Sequence, residues 1–225
     1  MRHPDSVHRS VARFGLSLGL GLGLGLNLFL LGCSGFPRLV ILHDPLTAQE
    51  HVQLGVTYEE QGEWERAMAE YRDALKKDHR HLPALVNLGN VHTQRRHYPE
   101  AERYYRKALK LDPNHPMANN NLAWILIIQG TDLAEAEGLI RKAIVSDPDR
   151  RAVYLDTLTY WYLKLGRLIE ALATLKEAEA HLIPSDESLK AHLAVTRALV
   201  TRAMESGVTG VRTIPPGADH PEEIP

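Results

Sequence analysis

The chain has 225 residues, of which 44 % are hydrophobic and 24 % are charged, so most of it is expected to fold in water as one or two domains. Its 26 basic and 28 acidic residues give a net charge of −2, without the positive excess that typifies nucleic-acid-binding proteins. A single cysteine excludes an internal disulfide, so the fold has to be stabilised by its core.

The N-terminus has the composition of a bacterial export signal. Arg2, Arg9 and Arg13 form a basic start. An apolar run without a charged residue follows from residue 14 to residue 32. A basic region followed by an apolar region is the pattern of a secretory signal peptide.

The apolar run ends in the sequence LLGC, residues 30–33, which contains the only cysteine. This sequence resembles the lipobox of bacterial lipoprotein precursors, which has leucine three residues before the cysteine and small residues just before it. The resemblance implies cleavage of a signal peptide, residues 1–32, and attachment of lipid such as palmitate to Cys33. Residues 33–47 then form the lipidated start and a short tether. The residue after the cysteine is Ser34 and not aspartate. By the same resemblance, this favours sorting to the outer membrane over the inner one.

Two other interpretations of this region remain open. The run could be an uncleaved transmembrane helix, although about 18 residues rising roughly 1.5 Å each barely cross a hydrocarbon core of about 30 Å. Its Leu-Gly alternation also disfavours a helix, since each glycine costs about 1 kcal/mol relative to alanine. Alternatively, Cys33 could be an ordinary thiol in a protein core. We favour lipid attachment because all four lipobox positions match.

The middle of the chain contains four copies of one helical pattern. In each copy, leucine and a small residue occupy positions 7 and 8, alanine occupies positions 20 and 27, and a large residue occupies position 24. The copies span residues 48–81, 82–115, 116–150 and 152–185.

This pattern resembles the tetratricopeptide repeat, in which each copy forms two helices that pack closely at the small positions. The resemblance implies an all-α solenoid of four helix-turn-helix repeats. Gly62, Gly130 and Gly166 are expected to end the first helix of their repeats in the left-handed conformation. Arg96 occupies the corresponding place in the second repeat.

The last repeat of a solenoid exposes an apolar face that a cap has to cover. Residues 186–205 are predicted to form this capping helix, with Ser185 as its N-cap. The repeat domain therefore spans residues 48–205, and residues 206–225, rich in glycine, proline and acids, are predicted to be a disordered tail. The stripe facing the fourth repeat is predicted to contain Leu189, Leu193, Thr196 and Val200.

The sequence contains no motif that indicates an enzyme. A glycine-rich phosphate loop, HExxH and GxSxG are all absent, so we expect no catalytic residue, no cofactor and no small-molecule substrate. The closest histidine cluster is His79 and His81, and no carboxylate at helical spacing completes a metal site beside them. We expect solvated surface histidines there.

The repeat resemblance places a partner in a groove lined by the first helices. A clamp for a C-terminal carboxylate needs several basic residues, and only Lys164 is basic at these positions. Amides suit the backbone of an extended peptide, and an apolar patch beside them would take side chains or a helix. The alternative is that asparagine is simply common in such repeats. The predicted groove residues are Gln53, Asn87, Asn90, Asn120, Asn121, Trp124, Tyr160 and Lys164, with Ile127, Ile128 and Leu163 completing the apolar patch.

Together these features predict a lipid-anchored scaffold at the cell envelope that faces the periplasm and binds a protein or peptide partner. The membrane contact is the lipid, and no nucleic acid is expected as a partner. The architecture resembles pilotins, which help to assemble the secretins of type IV pili. It also resembles repeat-containing lipoproteins that act as adaptors for peptidoglycan-remodelling enzymes.

Overall fold

A computed structural model of the chain describes residues 44–206. The predicted signal peptide, Cys33, most of the tether and the predicted tail from residue 207 lie outside the described residues. The described part contains nine α-helices, one short 3₁₀ turn and no strand, which confirms the predicted all-α solenoid class. None of these helices has the length and apolar character needed to cross a membrane.

The helices form four consecutive pairs and one final helix. A pair consists of a first helix, a turn of three residues and a second helix, and each pair coincides with one copy of the sequence pattern. The pairs are α1 (Ala48–Glu60) and α2 (Trp64–Lys77), α3 (Leu82–Gln94) and α4 (Tyr98–Leu111), α5 (Pro116–Gln129) and α6 (Leu133–Ser146), and α7 (Arg151–Lys164) and α8 (Leu168–Ala180), followed by α9 (Glu187–Ser206), with the 3₁₀ turn at Pro148–Arg150 before α7.

The helices pack in two layers. Each second helix contacts the first helix of its own repeat and the first helix of the next repeat. From α3 onward, successive first helices also contact each other, and α9 contacts α7 and α8 as the first helix of a further repeat would. The first helices therefore form the inner layer of the array and the second helices form the outer layer.

A glycine on the first helix lets the ring of a tyrosine on the second helix approach closely. In the second repeat, a Cβ added at Gly89 would lie 2.7 Å from Cδ1 of Tyr105, which is too close for any real contact. Gly55 and Tyr71 repeat this arrangement in the first repeat. Both tyrosines are completely buried. The absence of a side chain at position 8 thus sets the spacing of the two helices.

The last two repeats reach similar packing with other residues. Position 8 carries Ala123 in the third repeat and Thr159 in the fourth, and position 24 opposite carries the smaller Ile140 and Leu175. A larger residue on one helix accompanies a smaller one on the other, as close packing requires. The alanines at positions 20 and 27 are all fully buried: Ala67, Ala74, Ala101, Ala108, Ala136, Ala143, Ala171 and Ala178.

Asp186, rather than the predicted Ser185, provides the side chain that caps α9. Its carboxylate accepts the backbone N–H of Leu189 at 2.8 Å. A capping side chain has to come from the residue directly before the first helical residue, and α9 begins at Glu187. The four residues of the predicted stripe on α9 are buried: Leu189, Leu193, Thr196 and Val200.

The close helix spacing predicts opposite effects for two glycine substitutions. Gly89→Ala should lower the free energy of unfolding by about 1–3 kcal/mol, since the new methyl group overlaps the Tyr105 ring. Gly138 lies exposed on α6 with open space around it, so Gly138→Ala should raise the free energy by up to about 1 kcal/mol through helix propensity. Urea unfolding followed by circular dichroism measures both. Equal stability of the two variants would contradict the packing constraint.

Candidate functional site

The predicted groove residues differ sharply in exposure between the two halves of the array. Gln53 in the first repeat is exposed, and Asn87 and Asn90 in the second are half-buried. In the last two repeats only Lys164 and Ile128 of the predicted groove residues remain partly accessible. Four predicted groove residues are buried, which corrects the expectation that they line an open surface: Asn120, Asn121, Trp124 and Tyr160.

Aromatic side chains fill the inner layer of the last two repeats. The rings of Trp124 on α5 and Tyr160 on α7 meet edge to face, with centroids 4.9 Å apart. Tyr160 in turn lies against α9, where its hydroxyl is 3.4 Å from the Thr196 hydroxyl. Burial and the carboxylate of Asp156 raise the pKa of Tyr160. Apart from the half-buried Ile128, the predicted apolar patch is therefore interior packing between neighbouring first helices.

The predicted amide band is partly a link between repeats. The hydroxyl of Tyr105 donates to Oδ1 of Asn90 at 2.8 Å. Asn121, in the next repeat, donates to the same Oδ1 at 3.0 Å and approaches the Tyr105 hydroxyl at 3.4 Å. In the first repeat, the hydroxyl of Tyr71 donates a hydrogen bond to the carboxylate of Glu59. It also forms a hydrogen bond with Asn87 of the following repeat. Asparagine at position 6 therefore ties each of these repeats to the tyrosine of the preceding one.

A second buried polar contact joins the fourth repeat to the capping helix. Oδ2 of Asp156 lies 2.9 Å from Nε2 of His192, and the Asp156 side chain is fully buried. These groups are enclosed between α7 and α9 and are not accessible to a partner. The two atoms are within ion-pair distance but do not have the geometry of a hydrogen bond, and the contact lies where α9 packs on the inner layer.

The first two repeats keep an accessible inner surface, which we call the open face. Positions 2, 6 and 9 of a first helix lie on one side of it, because they are spaced by about one turn. Val56 is 38 % exposed, and Gln53 beside it is also exposed. At the edge of this face burial raises the pKa of Glu59, and the hydrogen bond from Tyr71 only partly opposes this effect. The open face consists of Gln49, Gln53, Val56, Pro83, Asn87 and Asn90.

The open face offers hydrogen bonds and one apolar contact rather than catalytic chemistry. Asn90 uses its oxygen inside the array, so its Nδ2 group is the part left to donate outward. Gln53 has both a donor and an acceptor exposed to solvent. Between residues 44 and 206, no group of three or more histidine, cysteine or acidic side chains is arranged to hold a metal ion.

A charged cluster fixes the start of the described chain and was not expected from the sequence. His51 is buried with Nε2 2.7 Å from Asp44 and Nδ1 2.8 Å from Glu70. Hydrogen bonds from the backbone of Leu46 and from His51 lower the pKa of Asp44 to about 2, against the effect of burial. Lys77 adds a hydrogen bond of 2.7 Å to the backbone oxygen of Asp44. No local pattern reveals this cluster, because its members are far apart along the chain.

Family models described as tetratricopeptide repeat match residues 51–82, 83–115 and 104–138. The last match begins in α4 and ends in α6, so it pairs the second helix of one repeat with the first helix of the next. No curated protein matches the sequence.

Two solved structures resemble the array in fold. The crystal structure of MamA protein matches with a TM-score of 0.54 and 16 % identity over 70 % of this chain and 86 % of that chain. A thermophilic tetratricopeptide repeat protein from Thermus thermophilus matches with a TM-score of 0.56 and 21 % identity over 70 % of this chain and 87 % of that chain.

The His51 cluster predicts a pH-dependent stability. Burial opposes a charge on His51, but the hydrogen bonds to Glu70 and Asp44 together outweigh it and raise its pKa. A pKa above the unfolded value of about 6.5 means that this stabilisation is complete at lower pH and is lost as the pH rises through the folded-state pKa. The melting temperature of wild type should therefore exceed that of His51→Gln most at about pH 6 and least at about pH 9.

The matched control is His79→Gln, which changes an exposed histidine just beyond α2. Its difference from wild type should stay constant over the same range. A constant difference for His51→Gln as well would show that the two carboxylates do not hold the proton on this ring.

Proposed function

Because the chain carries tetratricopeptide repeats, we propose that it is a non-enzymatic scaffold that binds another protein through its open face and is held at the bacterial cell envelope by lipid on Cys33. The observation that supports the binding role is the open face itself. It is an accessible part of the inner layer, and it presents amide groups beside an apolar side chain. Such a surface matches an extended peptide better than it matches a small molecule.

The open face would bind its partner without covalent chemistry. Gln53 and the outward Nδ2 of Asn90 can pair with the backbone of an extended segment. Val56 can contact one apolar side chain of that segment. Glu60 is exposed beside the face, so a partner with a basic residue at this end would gain an additional favourable contact.

The lipid anchor is supported by the LLGC sequence at residues 30–33 after its basic and apolar signal. An anchored array would confine its partner close to the membrane. Confinement raises the effective concentration of the partner and thus its occupancy without any new contact. We propose that the array faces the periplasm, on the outer membrane in preference to the inner one.

Site-specific crosslinking tests the binding role. A photoreactive amino acid at Gln53 or Val56 should capture a discrete partner in living cells. The same group at Lys142, exposed on the outer layer, is the matched control and should not capture that partner. Capture of the same protein with equal yield from both layers would contradict binding at the open face. Asn121 and Trp124 are unsuitable positions, since they are buried and their substitution would test folding.

The identity of the captured protein separates the two narrower roles. Capture of a secretin would favour the pilotin role, whereas capture of a peptidoglycan hydrolase would favour the adaptor role. Capture of neither would leave a scaffold of another pathway.

Labelling with radioactive palmitate tests the anchor. Wild type should incorporate label and sediment with membranes, whereas Cys33→Ser should remain unlabelled and keep its uncleaved signal. The control is Ser34→Ala, which should be labelled like wild type, since the sulfur is the attachment point. Unlabelled wild type in the soluble fraction would exclude the lipid anchor and leave the repeat array's binding role to be judged by crosslinking alone.

A further inference from the structure

On the outer side of the first two repeats, α3 contacts both second helices, α2 and α4. We call the region between these two second helices the furrow. The rings of His92 on α3 and Tyr104 on α4 stack with centroids 5.4 Å apart. Both are buried, with 7 % and 8 % of their surface exposed. This stacked pair forms the floor of the furrow.

Exposed cations surround this floor. The guanidinium carbon of Arg103 lies 5.3 Å from the centroid of the Tyr104 ring, and Nζ of Lys107 lies 5.6 Å from it. From the side of α2, the positive charge of Arg72 acts on His92. The centroid of the His97 ring lies 5.8 Å from that of the His92 ring. We call this set the basic furrow: Arg72, His92, His97, Arg103, Tyr104 and Lys107.

The cations of the basic furrow are not neutralised within the array. Arg72, Arg103 and Lys107 form no ion pair with any carboxylate of residues 44–206. By contrast Arg106, which occupies in the second repeat the place of Arg72, makes two hydrogen bonds of 2.6 and 2.8 Å to Glu135.

The positions of the furrow differ between repeats. In the third repeat, Leu126 takes the place of His92 and Gly138 takes the place of Arg103. Leu126 is buried and Gly138 is exposed to solvent, and neither residue carries a charge. The fold consequently does not need a histidine or an arginine at either position.

The floor of the furrow contains an unsatisfied polar atom. Nδ1 of His92 is buried and has no hydrogen-bond partner among the described residues. Buried polar atoms are normally paired, and Nδ1 of His92 is one of several buried side-chain atoms of residues 44–206 without a partner, among them Nδ1 of His81 and Oε1 of Gln94. Burial and then the charge of Arg72 lower the pKa of His92, partly offset by Glu100. The positive charge around the furrow thus disfavours protonation of His92.

The turn beside the furrow is strained. Arg96 has a φ of 58°, whereas the corresponding turns of the other repeats contain glycine at φ of 67° to 72°. A non-glycine residue in this region costs free energy that glycine avoids. At Arg96 this conformation adds a basic residue to the turn that carries His97, and Asp132 in the turn of the third repeat also has a positive φ, of 30°.

We propose that the basic furrow binds an acidic segment of a protein partner, whose carboxylates pair with Arg72, Arg103 and Lys107. This inference rests on the proposed function, since it assumes that the array binds proteins, and it adds a second surface on the opposite layer. The chain as a whole carries a charge of −2, Glu100 acts on His92 at the floor of the furrow, and Glu65 pairs with Arg95. A short acidic segment meets fewer of these acids than a long polyanion or a flat anionic membrane would.

Fluorescence anisotropy of the full chain in a neutral detergent tests the proposal. The probe is a labelled peptide of alternating glutamate and glycine, and the control peptide replaces glutamate by glutamine. The acidic peptide should bind more tightly, and added salt should weaken it. The double variant Arg103→Glu/Lys107→Glu should weaken binding roughly tenfold, because two attractive charges become repulsive.

The matched variant is Lys142→Glu/Lys176→Glu, which makes the same change in net charge on exposed sites of α6 and α8. It should retain affinity within about twofold, since its charges lie outside the furrow. Equal weakening by both double variants would reduce the effect to net charge and overturn the proposal. Tighter furrow-dependent binding of oligothymidylate, or of phosphatidylcholine vesicles containing phosphatidylglycerol, would overturn it in favour of a nucleic acid or a membrane.

A second measurement covers the case in which the double variant fails to fold. In wild type, the acidic peptide should shift the NMR signals of the His92 ring and leave those of the distant His181 unchanged. Unchanged His92 signals would overturn the proposal. If crosslinking from Gln53 still captures a partner in that case, the scaffold role stands and only the furrow inference fails.

Discussion

The close contact between position 8 of the first helix and position 24 of the second helix is the constraint on which the array depends. At Gly55 and Gly89, the missing side chain admits a tyrosine ring. The ring of Tyr105 spans the helix pair, so that its hydroxyl lies at the inner layer. There the hydroxyl forms hydrogen bonds with Asn90 and Asn121. The spacing within one repeat thereby determines how it is tied to the next.

The same packing divides the array into two halves that differ in the accessibility of their inner layer. In the last two repeats, aromatic rings and the Asp156–His192 contact occupy the inner layer. In the first two repeats the inner layer stays open, and the outer layer carries the basic furrow. The two accessible surfaces have opposite electrostatic character, since Glu59 and Glu60 border one and Arg103 and Lys107 border the other. If both surfaces bind as proposed, one array holds two chemically different segments at once.

The sequence predicted the repeats well because their signal is local and periodic. Small residues at fixed spacings and glycines in turns specify helix ends directly, as at Gly62 and Gly130. Exposure of the groove was predicted less well, since it was transferred by position from a family of uniform repeats. Trp124 and Tyr160 are large enough to fill the inner layer at their own positions. A rule that assigns groove residues by repeat position alone does not take side-chain size into account. The cluster around His51 joins residues 7 and 19 positions apart and depends on the folded arrangement.

The final helix gives the array unlike ends. Successive repeats join by placing a second helix against the next first helix, and α9 already occupies this place on α8. Within residues 44–206, the C-terminal end therefore offers no vacant second helix to the α1 of another molecule. Joining two arrays end to end through the contact that links successive repeats would require α9 to leave its place on α8.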